Sequence, residues 1–109
     1  MIKLIAIDLD GTLLDDRKSI PQQNVLIIRR LVEAGYQVVI ATGRRYYSAK
    51  KLTETLGGHF VILANNGNIV RNTDDDSLII SKFLDSDSYR DLLTEAESYG
   101  LRGIVHVDM

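Results

Sequence analysis

The fold of this chain is decided by residues 1–14, which read MIKLIAIDLDGTLL. An apolar run, Ile2–Ile7, ends abruptly in two carboxylates, Asp8 and Asp10, and a glycine follows at once. Continuous apolar runs rich in Ile and Leu are typical of a strand that is buried on both faces of a parallel sheet. We therefore predict a buried strand over about Lys3–Leu9.

The two carboxylates at the end of this strand point to a functional site. Side chains alternate along an extended chain, so Asp8 and Asp10 project from the same side. Neighbouring carboxylates repel each other unless a cation or a shared proton relieves them, and hard oxygen ligands favour Mg²⁺. We therefore expect a catalytic or metal-binding role for this pair.

The rest of the first two thirds of the chain repeats a strand–helix alternation. Its predicted elements are a helix from Pro21 to Gly35, a strand over 37–41, a helix over 46–56 and a strand over 60–64. A βαβαβ order implies an α/β fold with a parallel sheet and right-handed crossovers. The carboxyl ends of such strands lie at one edge, where ligands bind. The pairs at that edge are Asp8 and Asp10, Thr42 and Arg44, and Asn65 and Asn66.

The sequence changes in character after Gly67. Residues 68–71 and 78–81 are short β-like runs on either side of a polar, acidic stretch, and this arrangement predicts a hairpin. A helix is predicted over 86–99, and a last strand over 101–107. The apolar face of that helix is formed by Tyr89, Leu92, Leu93 and Ala96.

Composition restricts the classes of function. The 109 residues have a net charge of −2, which argues against nucleic-acid binding, and they include no cysteine. No apolar stretch approaches the roughly 18–20 residues that a membrane span requires, and no secretory leader is recognisable. We expect a cytoplasmic single-domain protein without a nucleic-acid or membrane partner.

Three segments carry a resemblance to a known family. The segment Asp8-Leu9-Asp10-Gly11-Thr12-Leu13-Leu14 resembles the signature of the haloacid dehalogenase (HAD) superfamily. The segments 38–44 and 63–67 resemble those of its Cof-type phosphatases. The resemblance implies a partial Rossmann-like catalytic core over 1–67 and the beginning of an α+β cap over 68–109.

The resemblance also implies roles for individual residues. Asp8 would be the nucleophile that forms an aspartyl-phosphate, and Asp10 the general acid and base. Mg²⁺ would be bound by the Asp8 side chain and the Asp10 backbone carbonyl. The substrate would be a small phosphorylated metabolite. Its phosphate-binding positions would be Leu9, Gly11, Thr42, Gly43, Arg44 and Asn66.

The chain also departs from the family pattern. The family's third motif, a lysine, and its fourth, an acidic cluster, have no counterpart in residues 68–109, so we expect an inactive N-terminal fragment. A sugar phosphomutase and a non-catalytic, self-associating module are the alternatives, the latter pairing through the uncovered edge of the first strand. The remaining acidic residues, Asp15, Asp16 and 74–76, are interpreted as solvated loop residues.

Overall fold

The computed structural model describes residues 1–107 and confirms the predicted α/β fold. The elements are β1 (Leu4–Asp8), α1 (Gln22–Glu33), β2 (Gln37–Ala41), α2 (Tyr46–Thr53), β3 (Val61–Ala64), β4 (Ile69–Asn72), β5 (Leu78–Ser81) and α3 (Ser86–Ser98). Short 3₁₀ turns follow α2 at Glu54–Leu56 and β3 at Asn65–Gly67.

The strands form one five-stranded sheet in the order β1-β2-β3-β4-β5. The first three strands are parallel, as the βαβαβ order predicts. The predicted hairpin is confirmed: β4 runs antiparallel to β3 and to β5, with an irregularity of register at Val70/Arg71. The hairpin thus continues the sheet beside β3, and the domain boundary after residue 67 stays a prediction.

The core lies between the middle of the sheet and the two helices that connect its parallel strands. Ile40 of β2 and Ile62 of β3 are fully buried. Helix α1 contributes Val25 and Ile28 to the same cluster, and α2 contributes Ala49. Helical spacing of apolar residues gives each helix one such face, and burial of that face against the sheet stabilises both.

The prediction that β1 is buried on both faces was wrong. Its residues alternate between exposed and partly buried, and Leu4 is 52% exposed. The strand lies at the edge of the sheet, because in residues 1–107 it pairs only with β2. Its apolar run therefore lacks the cover that the central strands receive.

The predicted last strand over 101–107 was also wrong, because these residues have no regular structure. A strand requires a hydrogen-bonded neighbour, and the segment lies instead against α3. A Cβ on Gly103 would overlap the Leu93 side chain, so the backbone approaches α3 closely there. The Arg45 guanidinium donates to the Val107 carbonyl over 3.2 Å.

Among the described residues, no helix has both the length and the apolar character that crossing a membrane requires.

The central position of Ile62 predicts a large effect on stability. We expect Ile62→Ala to lower the free energy of unfolding by about 2–5 kcal/mol, because a fully buried side chain is lost and a cavity remains. The matched control is Ile27→Ala, at a side chain that is 53% exposed. It should change the free energy by no more than about 0.5 kcal/mol. Urea unfolding followed by circular dichroism measures both, and equal losses would contradict this description of the core.

Candidate active site

The ends of the three parallel strands bring the predicted site residues to one edge of the sheet, here called the rim. In the register of the sheet, Asp8 lies beside Ala41, and Ala41 lies beside Leu63. The residues that follow these positions are linked by backbone hydrogen bonds. Thr42 N–H donates to Leu63 over 2.9 Å, and the Thr42 carbonyl accepts from Asn66 N–H over 3.0 Å. The loops after β2 and β3 are therefore held together.

Asp8 is the last residue of β1 and is exposed, and the backbone of the next residue orients its side chain. Its Oδ1 accepts a hydrogen bond from the Leu9 N–H over 2.8 Å. Leu9 is itself fully buried, and its carbonyl accepts from Leu14 N–H over 2.9 Å to close a tight turn. Gly11 has φ +76° in this turn, a conformation that glycine adopts without steric cost. One carboxylate oxygen of Asp8 is thus fixed, and the other has no hydrogen bond from any residue in 1–107.

Asp10 is held by two cations. Arg44 makes a two-pronged contact, with Nε 2.7 Å from Oδ2 and Nη2 2.9 Å from Oδ1. The Lys18 ammonium lies 2.9 Å from Oδ1. The hydrogen bonds from Arg44 and then Lys18 hold the pKa of the Asp10 carboxyl well below its ordinary value of 3.8. In return, the hydrogen bond to Asp10 raises the pKa of Arg44.

These contacts bear on the expected general-acid role of Asp10. A general acid has to carry a proton near neutral pH. In this arrangement the Asp10 carboxylate stays ionised, because both of its oxygens accept charge-assisted hydrogen bonds. Asp10 can act as an acid only after Arg44 and Lys18 have turned to another partner.

The second and third predicted segments are packed against each other at the rim. Thr42 is buried, and its Oγ1 accepts from the Arg44 N–H over 3.0 Å, so its hydroxyl hydrogen can still be donated. A Cβ on Gly43 would lie 3.1 Å from the Asn66 Oδ1, so a glycine lets the Asn66 amide lie over this backbone. Asn65 and Asn66 both have positive φ, near +50°, which asparagine tolerates better than most residues.

Two residues at the site were missed in the sequence. Lys18 belongs to a polar loop with no recognisable motif. Asp15 is an exposed loop residue, as interpreted from the sequence, and its Oδ1 in addition accepts from the backbone N–H groups of Arg17 and Ser19 and so shapes that loop. An aspartate followed by a short polar stretch is the local signal for such a turn, but it does not indicate what the loop approaches.

The interpretation of Asp76 as a solvated loop residue was wrong. Its Oδ1 accepts from the Tyr46 hydroxyl and from the Lys50 ammonium, each over 2.6 Å. Its backbone carbonyl accepts from Arg71 over 2.8 Å, and the Arg71 guanidinium lies 5.7 Å from the centre of the Tyr46 ring. Lys50 and then Tyr46 lower the pKa of Asp76, while burial and the bond to Asp76 raise that of Tyr46. The turn of the hairpin is thereby tied to α2, which begins two residues after Arg44.

The residues at the rim fit part of a magnesium site. Mg²⁺ in proteins takes hard oxygen ligands and commonly binds one or two carboxylates, waters and a substrate phosphate. Asp8 offers such an oxygen, whereas the Asp10 carboxylate is occupied by its two cations. No group of three or more acidic, histidine or cysteine side chains suited to a metal occurs among the described residues.

An open cleft of about 980 Å³ begins at the rim, at Gly43 and Asn66. Its other wall consists largely of apolar residues of α3 and of the segment that follows it, among them Leu92, Leu93 and Ile104. A cleft of this size accommodates a small molecule. The loops after β2 and β3 therefore open into a space large enough for a small molecule.

Comparison with known proteins agrees with this geometry. The model of the haloacid dehalogenase-like hydrolase family matches residues 5–108. Two relatives are 5-amino-6-(5-phospho-D-ribitylamino)uracil phosphatases of Bacillus subtilis (strain 168). YitU is 36% identical over 94% of this chain and 38% of its own length, and YcsE is 46% identical over 62% of this chain and 28% of its own. The chain therefore spans about a third of the length of these relatives.

Solved structures show the same fold. A haloacid dehalogenase-like hydrolase from B. subtilis superimposes with a TM-score of 0.80 at 31% identity, over 91% of this chain and 34% of that one. The haloalkanoate-superfamily phosphatase BT1666 from Bacteroides thetaiotaomicron superimposes with a TM-score of 0.81 at 26% identity, over 92% of this chain and 37% of that one.

The ion pairs of Asp10 predict its titration. A carboxyl whose pKa is lowered by folding stabilises the folded state above its unfolded pKa, here 3.8, and loses that contribution as the pH falls through the folded pKa. We expect the carboxyl carbon of Asp10, followed by NMR, to titrate below the ordinary value of 3.8. Arg44→Gln should move the midpoint up towards 3.8, and Lys18→Gln should move it up by less, because Arg44 is the larger cause. An unchanged midpoint in Arg44→Gln would contradict the two-pronged pair.

Proposed function

The chain belongs to the haloacid dehalogenase-like hydrolase family, and from this membership we propose that its protein is a Mg²⁺-dependent phosphatase of small phosphorylated metabolites. The observation that carries the proposal is the position of Asp8. Its carboxylate stands at the rim with one oxygen fixed by Leu9 N–H, and the cleft is lined by Gly43 and Asn66 of the neighbouring rim loops. Phosphatase activity is also what the names of its relatives state.

In the proposed reaction, the second oxygen of Asp8 attacks the phosphorus of the monoester. The new bond joins that oxygen to phosphorus, and the bond from phosphorus to the alcohol oxygen breaks. Asp10, once released from its cations, takes up a proton from solvent and gives it to the departing oxygen. It then takes a proton from the water that cleaves the aspartyl-phosphate, and it returns that proton to solvent when it pairs with its cations again. Inorganic phosphate leaves, and the Asp8 carboxylate is restored.

The remaining rim residues would bind the phosphoryl group. Thr42 can donate its hydroxyl hydrogen, since its Oγ1 already accepts from Arg44 N–H. Gly11 would offer its backbone N–H from the turn after β1, and Leu9 would offer its own only after releasing the Asp8 Oδ1 to which it donates. Gly43 and Asn66 would line the entrance, and Arg44 would contact a negatively charged group of the substrate. Mg²⁺, held by the Asp8 side chain and the Asp10 backbone carbonyl, would neutralise negative charge on the phosphoryl oxygens.

We also propose that the core ends near residue 67 and that 68–109 begin the cap. The support comes from the cleft, because α3 and the segment after it form the wall that faces Gly43 and Asn66. A cover over the rim has to lie on that side. Substrate choice would then depend on residues of this wall.

For the 109-residue chain itself, we propose little or no turnover. The described residues provide the nucleophile but no cluster of three metal-binding side chains. Loss of a group that stabilises charge in the transition state typically lowers the rate by about 10²-fold or more. Loss of several such groups is expected to leave no measurable turnover.

Hydrolysis of a generic aryl phosphate with and without Mg²⁺ tests this proposal, and Asp8→Asn is the control. For the folded chain we expect no release of the phenol above that of Asp8→Asn. Mg²⁺-dependent release that Asp8→Asn abolishes would overturn the expected inactivity and support the phosphatase. Release that Asp8→Asn leaves unchanged would contradict the assignment of Asp8, and transfer of the phosphoryl group to a sugar would favour a phosphomutase.

Self-association is a further part of the proposal, and it involves the edge of β1. In residues 1–107 both β1 and β5 have a neighbour on one side only, which leaves backbone groups available for pairing. The register of β5 with β4 is irregular, a feature that disfavours edge-to-edge pairing. In contrast, β1 pairs with β2 in a regular register. Its Leu4 side chain is exposed. We therefore expect copies of the chain to pair through β1.

Sedimentation velocity over a range of concentrations tests this association. Leu4→Lys adds a charge to the β1 edge, which should weaken dimerisation by about tenfold or more, equivalent to about 1.4 kcal/mol. The matched control Ile79→Lys places the same charge on β5, where the side chain is 53% exposed. It should leave the dimerisation constant unchanged. A larger effect of Ile79→Lys than of Leu4→Lys would indicate that the interface lies at β5 instead. A chain that stays monomeric at all concentrations would refute the proposed self-association.

A further inference from the structure

Lys18 is aimed at the rim by a loop that folds on itself. The Asp15 N–H donates to the Ser19 carbonyl over 2.8 Å, and the Lys18 N–H donates to the Asp15 carbonyl over 3.0 Å. The Asp15 side chain accepts from two further N–H groups of the loop. Lys18 has φ +60° there, a conformation that is uncommon for a residue with a long side chain. The loop thus holds Lys18 in a defined position.

Lys18 and Arg44 converge on the same carboxylate although they are 26 positions apart in the sequence. Their nitrogens Nζ and Nη2 each lie 2.9 Å from the Asp10 Oδ1, and the Arg44 Nε lies 2.7 Å from Oδ2. The two cations carry one positive charge more than the carboxylate between them neutralises. The three side chains are partly exposed, at 56% for Lys18, 31% for Arg44 and 40% for Asp10.

We propose that Lys18 and Arg44 together form a binding site for the phosphate group of the substrate, which the Asp10 carboxylate occupies in the absence of ligand. This inference rests on the proposed function for the identity of the ligand as a phosphate monoester. Lys18 is a new residue in this role, and Asp15 positions it.

Charge and shape favour a phosphate over another anion. A phosphate monoester carries up to two negative charges near neutral pH, which matches the two cations, whereas a carboxylate carries one. Arg44 already presents its planar fork to two oxygens, and the same geometry suits phosphate. Exposed ion pairs contribute little to stability, so Asp10 is readily displaced. Asp8, the proposed nucleophile, is two residues before Asp10 in the chain.

Binding of inorganic phosphate to the 109-residue chain, followed by NMR shifts at constant ionic strength and about pH 8, tests the inference without turnover. At that pH most of the phosphate is a dianion. We expect Lys18→Gln to raise the dissociation constant by about tenfold, because one charge-assisted hydrogen bond is lost. We expect Asp10→Asn to lower it by about threefold or more, because the internal competitor is removed. Acetate should bind more weakly than phosphate.

Two control variants separate this site from the general effect of charge. Arg17→Gln removes a cation next to Lys18 in the same loop, and Asp16→Asn removes an anion from it. Both should leave the dissociation constant for phosphate within about twofold of the original. Far-UV circular dichroism of each variant shows whether it is folded, and the opposite directions expected for Lys18→Gln and Asp10→Asn exclude a common loss of structure as the cause.

Each outcome decides the inference. Phosphate binding that is weakened by Lys18→Gln and strengthened by Asp10→Asn supports it, and so does saturable binding seen only in Asp10→Asn. Equal effects of Lys18→Gln and Arg17→Gln, equal affinity for acetate, or no saturable binding in either the original chain or Asp10→Asn would overturn it. If the expected binding pattern occurs while aryl phosphate is never hydrolysed, the phosphate site stands without support for the phosphatase. If Asp8-dependent hydrolysis occurs while Lys18→Gln changes neither KM nor phosphate binding, the phosphatase stands and the inference fails.

Discussion

The parallel pairing of β1, β2 and β3 is the constraint on which the rest of the structure depends. It places Asp8, Ala41 and Leu63 side by side, so that three separate loops begin at the same edge. The buried residues Ile40 and Ile62 hold the register, because a shift by one residue would turn these side chains out of the core. The position of every rim residue follows from this register. The sheet therefore sets where the loops of the site begin.

Charge is distributed unevenly over the rim. Asp10 is paired with Arg44 and Lys18, so the loops after β1 and β2 carry one positive charge more than this carboxylate neutralises. The two cations, which attract anions, therefore lie at the same place as Asp10, which has to carry a proton in the proposed reaction. These two requirements conflict if Asp10 stays in its ion pairs. They are compatible if an arriving phosphate takes over both cations and leaves Asp10 beside the bond that breaks.

The sequence predicted most of the fold and the location of the site, and the reasons lie in particular residues. The apolar runs of β2 and β3, the glycines after the helices and the polar hairpin turn are local signals, and each was confirmed. The incomplete burial of β1 and the irregular segment over 101–107 depend on which neighbours lie beside them, which periodicity does not report. Lys18 and Asp76 were missed for the same reason. The partner of Lys18, Asp10, lies 8 positions away and is itself paired with Arg44. The partners of Asp76, Lys50 and Tyr46, lie 26 and 30 positions away.

The two carboxylates of the signature segment differ in how they are held, and this difference suits two different roles. Asp8 accepts from the N–H of the next residue, so its orientation is set by the end of β1 itself. Asp10 depends on two side chains from separate loops, one before α1 and one before α2. A change in either loop can therefore release Asp10 while Asp8 stays in place. A nucleophile benefits from a fixed direction of attack, whereas an acid that later serves as a base has to change partners. The local contact of Asp8 and the distant contacts of Asp10 meet these two needs within three consecutive residues.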